Sequence, residues 1–222
     1  MRDYFKRQIE LWGEDVQKSL QERSVAIVGC GGLGSSLALA LGGSGIGRIY
    51  LIDFDEVSLH NIHRQITFGA DDEGKSKARV NKEVIERRCP YVEAKSFVES
   101  FEEFAERGIK PDLILDATDN LPTRAKIDSY AKKIGVPWIY ASVEEFQGQV
   151  CFMERSSFQA FRITDRKPGG IAAPMVMLVA SFEANLALRY LAGLPIKKDR
   201  LYYLFFDESG DFVVNSFNMP KE

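Results

Sequence analysis

The chain has 222 residues, 45% of them hydrophobic, enough for one large domain or two small ones with a sizeable core. Its 29 basic and 32 acidic residues leave a net charge of −3, which excludes the strongly basic face that a nucleic-acid partner requires. The longest nearly uninterrupted apolar stretch, Ile171 to Phe182, contains a proline and falls short of the ~20 residues that cross a bilayer, so no membrane partner is expected.

The first residues, Met1 to Arg7, contain no apolar signal segment, and a cytoplasmic location is expected. Cys30, Cys89 and Cys151 are odd in number and far apart, which argues against a disulfide framework and reads as three structural thiols. His60 and His63 are the only histidines, and no Cys-x-x-Cys pair exists, so a conventional zinc site lacks ligands and no zinc is expected.

In chain order, Tyr4, Phe5, Ile9, Leu11, Trp12, Val16 and Leu20 predict one or two short amphipathic helices that form an arm rather than a core. Val25 to Val28 reads as a strand, Gly29 to Gly34 as a glycine turn and Ser35 to Leu41 as a helix of small residues; Arg48 to Ile52 is the next strand, completing a βαβ unit. A surface helix is predicted within Gly74 to Arg88, a buried strand at Leu113 to Asp116, a helix over Pro122 to Lys133 and a strand at Trp138 to Ala141. Gln149 to Met153 begins a hairpin region, and the polar segment 154–170 reads as a long mobile loop. An apolar helix over Met175 to Leu191 and two antiparallel strands, Leu201 to Phe206 and Asp211 to Phe217, close the chain. The alternation implies a Rossmann-like α/β fold: a mostly parallel sheet with helices on both faces and antiparallel closing strands.

Gly29-x-Gly31-x-x-Gly34 follows a strand and opens a helix, and Asp53 lies nineteen residues beyond Gly34 at a strand end, where a carboxylate accepts hydrogen bonds from ribose hydroxyls. A second pattern, Gly69 to Ser76, has the spelling of a Walker A loop. Electrostatics argue against it, because Asp71, Asp72 and Glu73 would place three carboxylates where triphosphate oxygens must lie. A dehydrogenase accounts for the glycines and Asp53 but has no use for the polar set that follows: Asp55, Asn61, Arg64, Gln65, Lys77, Asp119 and Asn120. In a doubly wound sheet these clusters follow the carboxyl ends of strands and can converge on one crevice, where cations and a carboxylate suit phosphate and Mg²⁺.

Taken together, Tyr4-Phe5-Lys6-Arg7-Gln8-Ile9, the glycine turn, Asp53-Phe54-Asp55-x-Val57, Asn61-x-x-Arg64-Gln65, Gly74-x-x-Lys77, Asp116-x-Thr118-Asp119-Asn120, Gly148-Gln149 and Ala172-Ala173-Pro174 make the chain resemble the ThiF/MoeB/HesA family of adenylyltransferases, relatives of ubiquitin-activating enzymes. The resemblance runs from about Tyr4 to Gly193. It implies a homodimer that uses ATP and Mg²⁺ to adenylate the C-terminal Gly-Gly carboxylate of a small ubiquitin-like sulfur-carrier protein, with a ThiS-type carrier of thiamine biosynthesis preferred over a MoaD-type carrier of molybdopterin biosynthesis. It also implies that Gly31 and Gly32 approach the nucleotide, Asp53 binds ribose, and Asn61, Arg64 and Lys77 hold phosphates. Asp119 is the implied Mg²⁺ ligand with Asn120 beside it, and Arg7 reaches into the partner subunit's site; Gln65 and Asp55 match with less specific roles.

On this reading residues 1–222 are a single adenylyltransferase domain, divided into the helical arm 1–22, the nucleotide-binding part 23–145 and the carrier-binding, antiparallel part 146–222. Many relatives carry two Cys-x-x-Cys pairs for zinc, and some carry a loop cysteine; neither occurs here, so sulfur is expected from a separate donor protein. Tyr202, Tyr203, Phe205 and Phe206 are expected either to replace the zinc by apolar burial or, through alternate residues, to form the groove that receives the carrier. An NAD-dependent oxidoreductase and a non-catalytic partner of an activating-enzyme dimer are the alternatives. The joint presence of Arg7, Arg64, Lys77 and Asp119 speaks against the latter.

Overall fold

The computed structural model describes residues 1–161 and 169–221. Eight strands, β1 (Ser24–Val28), β2 (Arg48–Ile52), β3 (Glu93–Phe97), β4 (Leu113–Asp116), β5 (Trp138–Glu144), β6 (Gln147–Met153), β7 (Arg200–Phe206) and β8 (Phe212–Asn218), form one sheet in the order β3-β2-β1-β4-β5-β6-β7-β8. The strands run parallel from β3 to β5 and antiparallel from β5 to β8. This is the Rossmann-like mixed α/β architecture expected from the alternation of elements. β1 is buried at all five positions because helices cover both its faces, which is why it reads as a continuous run of small and branched apolar residues.

Among the described residues seven α-helices accompany the sheet: α1 (Lys6–Trp12), α2 (Glu14–Glu22), α3 (Gly32–Ser44), α4 (Lys77–Arg88), α5 (Phe101–Glu106), α6 (Leu121–Ile134) and α7 (Ala173–Leu191). Val25, Ile27, Leu51, Leu115 and Ile139 point to one face and pack with Leu37 and Leu41 of α3, Ile85 of α4 and Val179 of α7. Ala26, Val28, Ile114 and Trp138 point to the other, against Phe101 and Phe104 of α5 and Ile127 of α6. The period of two along each strand sorts the core into these two layers.

The N-terminal segment is not a detached arm. Phe5 and Leu20 are buried in the core, and Gln8 and Gln17 both donate to the Ser44 carbonyl at the end of α3. A Cβ on Gly45 would lie 2.5 Å from Phe5 Cζ, so the ring seats where α3 ends in a left-handed glycine. The apolar stripe that predicted amphipathic helices is the stripe that docks.

Two elements without a strong apolar pattern complete the parallel half of the sheet and its helices. β3 is an edge strand with polar residues on its open side, and α5 starts with a reciprocal capping box between Ser100 and Glu103. The first part of the segment expected as a mobile loop is packed instead: Ser156, Ser157 and Phe158 are buried. Asp199 accepts hydrogen bonds from the N–H groups of Glu154, Arg155 and Ser156 and from the Ser156 hydroxyl, while Asp128 accepts from Ser157 and from the Phe158 N–H. Residues 162–168 of that predicted loop lie outside the described residues.

The closing strands also depart from expectation. Leu204 is the residue of β7 that enters the core, with Tyr202 packed on Phe182 of α7. Tyr203 and Phe205 stack on the opposite face, and Phe206 is half exposed, so the four aromatics do not form a buried cluster. Alternation along β7 gives only every second side chain to α7.

Candidate active site

The site begins where β1 ends. Gly29 has φ +95°, and a Cβ there would lie 2.6 Å from the Ala117 carbonyl oxygen, so the chain leaving β1 passes the chain leaving β4 at a distance only glycine allows. A Cβ on Gly34 would overlap the Gly29 carbonyl, which fixes the close approach of α3 to its own turn. β1 lies between β2 and β4, whose crossovers run in opposite directions, so the carboxyl ends of β1 and β4 open a crevice at the switch point.

A cavity of about 780 Å³ occupies this crevice. Gly31, Gly32, Asp53, Asn61, Arg64, Gln65, Lys77, Asp119 and Asn120 all line it. The structure therefore brings together in one place nine residues that five separate stretches of the sequence supply. The first turn of α3 begins at Gly32 with no side-chain cap, leaving backbone N–H groups directed at the cavity.

Asp53 immediately follows β2 and faces the turn: its Oδ2 accepts the Cys30 N–H at 2.6 Å and its Oδ1 accepts the Asp55 N–H at 2.8 Å. Burial pushes this carboxyl up, against the pull of those two N–H donors and of Lys77. The segment from Leu59 to Arg64 is a 3₁₀ turn that carries Asn61 and Arg64 over the glycines. A Cβ on Gly32 would stand 3.6 Å from Arg64 Cγ, and one on Gly31 would stand 3.3 Å from Gln65 Nε2. Gln65 is buried with its Oε1 unpaired, an acceptor held at the cavity wall.

Lys77 opens α4 and is nearly enclosed, its side chain 7% exposed, yet its Nζ reaches Asp55 Oδ2 at 2.8 Å. Backbone bonds between residues 55–57 and 74–77 zip the exit of β2 to the start of α4, which is what puts the cation there. Lys75 of the Walker-like spelling does not line the cavity; it is half exposed and paired with Asp72, and the segment before it is 3₁₀ rather than strand.

The far wall is the loop after β4. Asp116 is fully buried and ion-paired with Arg124 of α6 at 2.9 Å; Thr118 is held between them, and Asn120 caps α6 by accepting the Thr123 N–H. No side-chain hydrogen bond or ion pair holds Asp119 among the described residues. Past Asp119 the cavity continues along Ser142, Val143 and Glu144 of β5 to Gly169, Ile171 and Val176. There the stretch 169–172 is bonded across the β5–β6 turn, with Glu145 N–H donating to Gly170 O and Ala172 N–H to Glu145 O.

Sequence reasoning missed the Asp116–Arg124 pair, the Lys77–Asp55 pair and this second arm of the cavity. Asp116 and Arg124 are eight residues apart across a loop, with no periodic signal joining them. Arg7, by contrast, is outside the cavity: its side chain is 91% exposed and pairs with Glu10.

The donor set suits a magnesium–nucleotide pair. Among the described residues no three His, Cys, Asp or Glu side chains cluster to cage a metal, whereas Asp119 stands unpaired at the cavity wall. Mg²⁺ commonly takes one or two carboxylates and fills its octahedron with phosphate oxygens and water.

The chain matches the ThiF family over residues 5–222. It belongs to that family. The ThiF-family chain is 28% identical over 219 residues to the sulfur carrier protein ThiS adenylyltransferase of Escherichia coli K12, covering 90% of this chain and 87% of that protein. It is 30% identical to the sulfur carrier protein adenylyltransferase of Thermus thermophilus, covering 90% and 82%, and 30% identical to the molybdopterin-synthase adenylyltransferase of E. coli K12, covering 85% and 82%. Among solved structures, E. coli MccB with ATP shares the fold with TM-score 0.87 at 21% identity, covering 98% of this chain and 72% of that one. As a member of the ThiF family the chain is an enzyme of the nucleotidyltransferase class.

Proposed function

We propose that this ThiF-family enzyme adenylates the C-terminal Gly-Gly carboxylate of a ubiquitin-like sulfur-carrier protein at the expense of MgATP, releasing pyrophosphate. The observation that carries the proposal is the single cavity in which Arg64 and Lys77 stand over the glycine turn with Asp119 opposite, continued by an arm along β5. The names of the relatives support the substrate class, and a ThiS-type carrier is preferred; a MoaD-type carrier is the second reading, favoured by 30% identity to the molybdopterin-synthase relative against 28% to the ThiS one.

The reaction brings an anionic carboxylate onto an anionic α-phosphate, so charge neutralisation and alignment dominate the barrier. Gly31 and Gly32 let the phosphates approach the first turn of α3, and Asp53 accepts hydrogen bonds from ribose hydroxyls while it braces the turn through the Cys30 N–H. Asn61, Gln65 and Asn120 supply polar contacts along the nucleotide. Arg64 and Lys77 are the cations for the reacting phosphate; Lys77 exchanges its bond to the half-exposed Asp55 for phosphate oxygens. Asp119 would hold Mg²⁺, which would supply charge neutralisation to the phosphates. The arm past Ser142 and Ile171 admits the carrier tail as an extended strand of small residues, which suits glycines.

Arg7, exposed on α1, completes the site of a second copy in a homodimer, and a separate protein donates sulfur to the adenylate. ATP–pyrophosphate exchange tests the whole reading: the enzyme with a ThiS-type carrier exchanges label faster than with a MoaD-type carrier. No exchange with either refutes the function, and faster exchange with the MoaD-type carrier reverses the preference.

A further inference from the structure

Thr118 precedes the proposed magnesium ligand, and all three of its polar groups end on one buried ion pair. Its N–H and its hydroxyl donate to Asp116 Oδ1 at 2.9 and 2.6 Å, and its carbonyl accepts from Arg124 Nη2 at 2.7 Å. Arg124 Nε closes the figure on Asp116 Oδ2 at 2.9 Å. On the other side of Asp119, Asn120 is fixed as the cap of α6. Among the described residues Asp119 is thus a side chain without a hydrogen bond between two pinned neighbours.

The same guanidinium reaches across the sheet. β4 and β5 pair only at Ile114↔Trp138 and Leu115↔Ile139. Where the strands part, Arg124 donates to the Ala141 carbonyl at 3.1 Å and lies over the Tyr140 ring, 5.2 Å from its centroid. Ala141 is followed by Ser142, the first residue of the second arm. One rigid fork therefore ties the nucleotide arm to the arm along β5, and its planar donors suit this bridging as a lysine would not.

We infer that Arg124 is a positioning residue for the site, fixing the Asp119 loop in register with β5 so that the metal–nucleotide and the carrier tail meet. The inference rests on the adenylation reading above. Arg124 already spends its fork on Asp116, Thr118 and Ala141, and it acts on the site through them rather than on the phosphates. Groups that orient a metal ligand from behind typically govern metal affinity by 10- to 100-fold.

The test titrates Mn²⁺ by electron paramagnetic resonance into full-length protein saturated with α,β-methylene ATP, alongside binding of the same nucleotide in EDTA. Wild type, Arg124→Lys and Thr118→Ala are compared. Thr118→Ala removes one hydroxyl bond without stranding a buried charge, so it keeps the test alive if Arg124→Lys folds poorly. The expected result is Mn²⁺ affinity weakened by about tenfold or more in Arg124→Lys and in the same direction, by a smaller factor, in Thr118→Ala, with metal-free nucleotide binding within about threefold of wild type. Faster amide hydrogen exchange at residues 117–119 accompanies the loss. Mn²⁺ affinity within about twofold of wild type in both variants overturns the inference alone, as does an equal loss of metal-free nucleotide binding. A wild type that binds no Mn²⁺–nucleotide overturns the adenylation reading and this inference with it.

Discussion

Glu183 sits in the middle of α7, fully buried, with neither carboxyl oxygen hydrogen-bonded among the described residues. Burial pushes its carboxyl well above the ordinary glutamate range; the charge of Asp116 pushes the same way and Arg124 opposes them. The folded protein therefore retains a proton that the unfolded chain has released. Between the unfolded value of about 4.3 and the higher folded value, the native state binds one more proton, so its stability falls as pH rises, by about 1.4 kcal/mol per pH unit. The contribution is fully present below the unfolded value and is lost as pH rises through the folded one. Glu183→Gln is neutral throughout and removes this slope.

The amide of that variant introduces its own unpaired donors, so the absolute stability at one pH decides nothing. The change in the gap between variant and wild type is diagnostic, because every other titrating group cancels. Within the window from pH 5 to pH 7 that gap shifts in favour of the variant, by about 1.4 kcal/mol for each pH unit below the folded value. For a domain of this size each such unit is roughly 3–6 °C in melting temperature. Urea unfolding at several pH values measures it. A gap that stays constant within about 0.5 kcal/mol over this window refutes the claim that Glu183 is buried protonated.

Asp119→Ala and Arg64→Ala are each expected to slow adenylation by about 100-fold or more with the fold retained; retained activity in either excludes that residue from the reaction. Arg7→Ala abolishes exchange in homodimers, and mixing it with an Arg64→Ala protein restores one working site per dimer; failure of such rescue, measured by pyrophosphate exchange, removes the in-trans role. Asp199→Ala releases the four hydrogen bonds that pin residues 154–156 and destabilises the fold by about 3 kcal/mol, read by urea midpoint. Burial raises the Cys30 and Cys151 thiols, the latter to about 12, so a disulfide reagent titrates them slowly in native protein and rapidly in denaturant; fast native labelling contradicts their enclosure.

Much of the nucleotide half was legible without coordinates because its signals are local. A strand, three spaced glycines, a helix of small residues and a carboxylate ending the next strand must be neighbours in sequence to work, and Gly29 to Asp53 form that unit. The convergence of Arg64, Lys77 and Asp119 followed from a topological rule, since the ends of β1, β2 and β4 share one edge of any such sheet. The docking of the N-terminal helices was not legible, because an apolar stripe states that a helix buries a face without stating against what. β3 and α5 carried too little apolar contrast to be read, although the Ser100–Glu103 box was there.

Composition, local periodicity and motif spacing thus determined most of the elements in their order, the glycine turn and the polar residues from Asp53 to Asn120 that face the cavity, whose individual roles the family resemblance implied. Tertiary structure alone decided that Asp116 and Arg124 bridge from α6 to β5 behind Asp119, that Lys77 waits on Asp55, and that Leu204 rather than its aromatic neighbours enters the core. Those are contacts between residues far apart along the chain, and their energies depend on distances and on exclusion from water that exist only once the sheet has closed around them.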